Sequence, residues 1–119
     1  MLTITLDKTE DGIFIITLEG TFENEDIPVY LDFSHDTFDE ARHIRRVSVI
    51  KDLRITGTKV REQMARESKR LQPQIEKTCV VGLTGLKRAF AILFSRITGE
   101  TIKNFDTLEE ALAWLRLEA

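Results

Sequence analysis

Residues 78–117, TCVVGLTGLKRAFAILFSRITGETIKNFDTLEEALAWLRL, constrain the fold more than any other stretch of the chain. They read as a short apolar strand over 78–81, then a glycine turn from Gly82 to Gly85. A helix follows whose Leu86, Ala89, Phe90, Leu93, Phe94 and Ile97 form one broad apolar face, and Gly99 stops it. Next come a strand over 101–105 and a last helix capped by Asp106 or Thr107, where Thr107 and Glu110 stand three apart as a capping box. Leu108, Ala111, Leu112 and Leu115 line the inward side of that helix, with Trp114 at its edge. Two consecutive strand–helix units predict parallel strands joined by right-handed crossovers.

The first half of the chain completes the pattern. LTITL at 2–6 alternates apolar and polar residues, Asp11-Gly12 signals a turn, and IFIITL at 13–18 reads as a strand covered on both faces. These two strands should pair as an antiparallel hairpin. Pro28 suits the first turn of a helix opening near Glu25 and Asp26, with Ile27, Tyr30, Leu31 and Phe33 facing inward. Asp32, Ser34, His35 and Asp36 are poor helix formers, so an extended path over 28–33 is the alternative. RVSVIK at 46–51 alternates again and predicts a central strand ending at Asp52. The loop DLRITG leads to Thr58, read as the cap of a helix over about 59–71 that Pro73 stops. That helix has a thin apolar stripe (Val60, Met64, Leu71) and should lie at the surface, with Lys59, Gln63, Arg66 and Arg70 along one line. The expected fold is one α/β domain over 1–119. It has a single mixed β-sheet, an N-terminal antiparallel hairpin followed by parallel strands, and about four helices.

Composition agrees with a globular domain. The 119 residues are 42% hydrophobic and 31% charged, enough to close one core without staples. The longest apolar run, at 89–94, is six residues, far short of a bilayer span, and the N-terminus lacks the pattern of a signal peptide. The single cysteine, Cys79, leaves no internal disulfide and no cysteine zinc site, and its apolar strand context marks it as a small core residue. A cytoplasmic protein is expected. The net charge of −3 is unevenly spread: residues 1–40 carry eleven carboxylates against one lysine, and residues 41–119 nine carboxylates against sixteen cations. The halves therefore stand at −10 and +7, which suits association between copies or with a charged partner.

The order of elements resembles the STAS fold of anti-sigma-factor antagonists. More specifically, it resembles the SpoIIAA-like group of small bacterial STAS/SEC14-type proteins. The resemblance rests on VSVIKDL, on VVGLTGLKRAF and above all on the closing NFDTLEEALAWL. It implies a single mixed sheet with helices packed on it, and a non-enzymatic regulatory or ligand-sensing role that involves other proteins. In the antagonists a Ser or Thr in the loop before the second helix is phosphorylated to switch partner binding. The matching region here, DLRITGTKVRE, offers Thr56 and Thr58 around Gly57, in a loop several residues shorter than the antagonists' own.

Four places are candidate sites, each with a plainer reading beside it. Thr56 or Thr58 can take a phosphate at a helix N-terminus, or Thr58 simply caps the helix. Asp52, Arg54, Thr84 and Gly85 can share a crevice beyond the carboxyl ends of the strands and hold an anion such as a nucleotide phosphate or lipid headgroup; otherwise Gly82 to Gly85 is only a tight corner, since the GK[ST] ending of a P-loop is absent. Lys59, Arg66 and Arg70 can meet the acidic segment 23–40 of a second copy, or form a solvated face. Ile92, about 100° off the buried stripe, marks an interface if other apolar residues gather around it. His35 and His43 stand eight apart with no further ligands, so no metal site is expected, nor any cofactor. An acidic chain without aromatic residues along its basic line argues against nucleic acid. No catalytic constellation is present. The expectation is a non-enzymatic regulatory or protein-interaction module with a protein partner or as a homodimer; the alternative is a small-ligand carrier or sensor of a lipid or nucleotide. A sealed core would favour the first, and an apolar pocket of several hundred Å³ the second.

Overall fold

The structure, a computed structural model, describes residues 1–83 and 87–118, with the backbone alone for 87–90. The elements are β1 (Leu2–Lys8), β2 (Phe14–Phe22), α1 (Ile27–Phe38), β3 (Ile44–Ile55), α2 (Thr58–Leu71), β4 (Ile75–Val81), α3 (Lys87–Thr98), β5 (Asn104–Phe105) and α4 (Leu108–Arg116). They form one sheet in the order β1-β2-β3-β4-β5. β1 and β2 pair antiparallel, and every later neighbour is parallel. The expected mixed sheet with four helices is what forms.

This order decides where the helices go. Successive parallel strands step across the sheet in one direction, so right-handed crossovers put α1, α2 and α3 on the same face. α4 follows the last strand and covers the other face. Two apolar clusters record the division. Phe22, Ile27, Phe38, Val60, Met64 and Leu71 belong to the α1–α2 side, while Val47, Cys79, Ala111 and Leu115 belong to the α4 side. Phe22 and Phe38 are fully buried, each contributing about 1.5–3 kcal/mol. Cys79 is buried as its context predicted.

Tertiary contacts moved several boundaries. α1 runs to Phe38 through all four poor helix formers, so the extended alternative does not occur. Phe38 is buried edge-on to Phe14 at 5.2 Å, and His35 bonds Asp39 at 2.7 Å one turn on, so packing and an i,i+4 pair outweigh weak propensity. β3 does not stop at Asp52. The nine residues of β2 offer further pairing, and Asp52 is accommodated as a bulge at φ 46° between Lys51 and Leu53. Thr58 is not the cap of α2: Gly57 occupies that place at φ 80°, a conformation glycine tolerates best, and Thr58 opens the helix. α2 is less superficial than its stripe implied, because α1 and α3 flank it and Ala65 and Glu67 are buried with the apolar residues. β4 begins earlier than expected and β5 is two residues long.

Candidate functional site

α3 packs mainly along α2 rather than onto the sheet. The amide of Gln72 fastens the far ends of these helices, donating to the Thr98 carbonyl at 3.0 Å. The sheet face beneath is left partly unfilled, and a cavity of about 520 Å³ opens there. Its walls are largely apolar, with Ile16 and Leu18 from β2, Ile50 and Leu53 from β3, Met64 from α2 and Phe94 from α3. Tyr30 and Phe33 close it on the α1 side. Small-molecule sites typically enclose about 300–1,000 Å³ with a few placed polar groups.

The polar groups come from strand alternation. Val47 and Val49 of β3 face α4, so Arg46, Ser48 and Ile50 face the cavity. Arg46 is only 8% exposed. Its Nε donates to Thr78 Oγ1 at 3.2 Å and its Nη2 to Ser68 Oγ at 3.4 Å, and the guanidinium lies 5.1 Å from the centre of the Phe38 ring. All three partners are neutral. Among the described residues no carboxylate forms an ion pair with Arg46. Burial pushes its guanidinium below the ordinary value, with Tyr30 and Glu67 acting in the opposite sense. Burial also pushes the Tyr30 phenol up. The site therefore combines largely apolar walls, several hydroxyl side chains, a phenol and the buried cation Arg46, with the charged Arg61, Lys77, Lys103, Glu76 and Glu100 also in its lining. It offers binding and orientation.

Two carboxylates, Glu76 and Glu100, are among the lining residues, and Glu76 pairs with Arg45 at 3.1 Å. Arg70 holds Glu67 with two bonds of 2.7 Å and Asp39 with a contact of 2.8 Å, fastening α2 to the end of α1. Burial pushes the Glu67 carboxyl up, but Arg70 and Ser34 outweigh it and leave the group below its ordinary value.

Of the candidate site residues named in the sequence, none of those the structure describes is among the residues lining the cavity. Thr56 is exposed, and both its N–H and its hydroxyl donate to the Phe22 carbonyl, at 3.1 and 3.2 Å. Thr58 is exposed in the first turn of α2. Asp52 and Arg54 are exposed on the part of β3 that runs past its pairing with β4. Thr84 and Gly85 lie outside the described residues. Lys59 and Arg66 are exposed, and Arg66 shares a shallow depression with Lys69 and Arg96, whereas Arg70 is engaged within its own chain. Ile92 is 50% exposed on α3. Arg46, Ser68 and Thr78 were not singled out, and Tyr30 only as an inward-facing residue of α1. A signal existed for Arg46 and Ser48: a central strand covered on both faces has no solvent side for its polar residues.

Among the described residues no helix is long and apolar enough to cross a membrane, and no cluster of His, Cys, Asp and Glu is placed to hold a metal. Comparison with known proteins gives three findings. The model of the SpoIIAA-like family matches residues 13–116. An anti-sigma factor antagonist from Mycobacterium paratuberculosis superposes with a TM-score of 0.75 at 14% identity, over 98% of this chain and 96% of that one. An uncharacterised protein of the DUF3478 family with a SpoIIAA-like fold, from Shewanella loihica PV-4, gives 0.72 at 14% identity, over 96% and 93%. At such identities these two show a shared fold alone. No curated protein sequence matches.

Proposed function

Since the chain belongs to the SpoIIAA-like family, we propose that it is a non-enzymatic regulatory domain, cytoplasmic, that carries or senses a small apolar ligand held between its sheet and α1–α3. The cavity of about 520 Å³ carries this reading, because a regulatory domain that worked by surface contact alone would have no use for unfilled space beside its core. The test is native mass spectrometry of the protein purified from its own host, before and after organic extraction. A mass excess that extraction removes is the expected result. A chain that emerges ligand-free, and whose melting temperature no apolar compound raises, would overturn the reading.

A second reading keeps a protein partner or a second copy of the chain. It is favoured by the exposed side chain of Ile92 and by the resemblance to an anti-sigma factor antagonist. On this reading Thr56 or Thr58 is the point of phosphorylation. Both are exposed, and Thr58 stands where the dipole of α2 favours added negative charge. Lys59 and Arg66 remain available for an acidic surface, and Asp52 and Arg54 for an anion at the end of β3. Phosphopeptide mapping of the protein from its host, together with pull-down by the unmodified and Thr58→Asp forms, tests it. Identical partners for both forms, with no phosphate on either threonine, would remove the switch.

A further inference from the structure

We propose that the ligand is a single-chain anionic amphiphile whose carboxylate or phosphate headgroup pairs with Arg46 while its tail fills the apolar part of the cavity. The inference rests on the ligand-cavity reading above and adds the chemical class. A buried charge is costly unless it meets an opposite charge or a full set of acceptors. Among the described residues Arg46 meets neither. It has five N–H donors, yet its two hydrogen bonds go to hydroxyls at 3.2 and 3.4 Å, long for charge-assisted contacts. Glu67, whose charge acts on Arg46, is held by Arg70 and Ser34, and Glu76 of the lining by Arg45. The same geometry suits an incoming anion. Ser68 and Thr78 accept from Arg46, so their own hydroxyl protons can turn toward a second acceptor in the cavity, and among the described residues Nη1 makes no hydrogen bond. The phenol of Tyr30 also lines the cavity and donates to none of the described residues. A headgroup at Arg46 would therefore meet a converging set of donors, with Leu18, Ile50 and Phe94 left for a hydrocarbon tail.

Volume sets the tail length. At the roughly 30 Å³ that a water molecule occupies in the liquid, a cavity of about 520 Å³ holds on the order of seventeen heavy atoms. Dodecanoate and tetradecanoate fall at that size. A neutral alcohol of the same chain fills the same space but leaves the cation unpaired.

The test is isothermal titration of the full chain with dodecanoate, dodecyl phosphate, dodecanol and inorganic phosphate, each below micelle-forming concentration. Either dodecanoate or dodecyl phosphate should bind at least tenfold more tightly than dodecanol, and inorganic phosphate should bind at least tenfold more weakly than that anion. The better of the two anions identifies the headgroup. Arg46→Met should lose at least tenfold in affinity for the anion and little for dodecanol, with folding checked by circular dichroism. Equal binding of anion and alcohol to the unaltered protein would overturn the anionic class while leaving an apolar-ligand site, and it needs no variant. Inorganic phosphate binding as tightly as the amphiphiles would also overturn it, in favour of a free-anion site. Failure of all four to bind would count against both this inference and the cavity reading.

Discussion

Cys79 shows how burial sets the chemistry of a single side chain. The thiol lies between β4 and α4, 2% exposed, and burial pushes its pKa up to about 12. Thiolate is the reactive form, so the native protein should resist a thiol reagent at pH 8 and react at once in guanidinium chloride; rapid labelling of the folded chain would contradict this. Glu67 shows the opposite shift. Its folded pKa is depressed, so its contribution to stability is whole above the ordinary value of 4.5 and is lost as pH falls through the lowered folded value. Glu67→Gln should therefore flatten the acid limb of a stability–pH profile. At pH 7 it should cost about 1–2 kcal/mol by urea denaturation, less than a fully buried pair because Arg70 is partly exposed. Cys79 was legible from its apolar neighbours, whereas Glu67 was not. Nothing in RESKRL distinguishes a carboxylate facing α1 from one facing water, and its burial follows from α1 reaching Phe38.

Among the elements, α4 was the most legible because its signals are local. Thr107 accepts from the Glu110 N–H at 3.2 Å, the forward half of the capping box that the spacing predicted, while the Glu110 carboxylate accepts from the Thr107 hydroxyl at 3.0 Å instead of from its backbone N–H. The far end is held by cations, with Arg45 donating to the Leu115 carbonyl at 2.6 Å and Lys77 to those of Trp114 and Leu117 at 2.6 and 3.0 Å. Thr107→Ala removes only the N-terminal cap, so it should cost about 1 kcal/mol in equilibrium unfolding with α4 still in place. An unchanged midpoint would show that this cap adds nothing to a helix already anchored by Ala111 and Leu115. The element boundaries that were misjudged all depend on a distant partner. β3 continues past Asp52 because β2 is long enough to pair with it. Gly57 displaces Thr58 as the cap because the chain must turn at positive φ immediately after Thr56 bonds Phe22. Local propensity carries no information about such partners, so strand and helix types were readable and their ends were not.

At the scale of the whole molecule, the division of charge between the halves is partly consumed inside the chain. Asp39 meets Arg70, and Asp11 meets Arg116 at 2.8 Å across the ends of the sequence. Arg116 holds the Asp11 carboxyl down to about 2. If the remaining cations Lys59 and Arg66 join two copies, dimer should dissociate between 0.05 and 0.5 M salt in sedimentation, since a surface charge contact is screened within about 10 Å at 0.1 M; monomer at both salts would exclude that interface. The cavity was out of reach of sequence reading for a related reason. It is a property of how α3 sits on α2, and helix periodicity marks an apolar face without saying whether sheet or empty space lies under it. That placement also connects the two functional readings. α3 presents Phe94 to the cavity and Ile92 to the outside, so a ligand in the cavity would contact the same helix that offers the exposed surface. If both readings hold, binding a ligand and binding a partner would be coupled reciprocally through one element. Hydrogen exchange measures this directly. Saturation with the amphiphile that binds should slow exchange in α3 and in the neighbouring turns of α2, by up to a hundredfold at a hundred times its Kd. Amides of α4, on the opposite face of the sheet, should slow only as far as the whole fold is stabilised. Uniform slowing across α3 and α4 would mean that the ligand supports the fold as a whole and that α3 carries no separate signal.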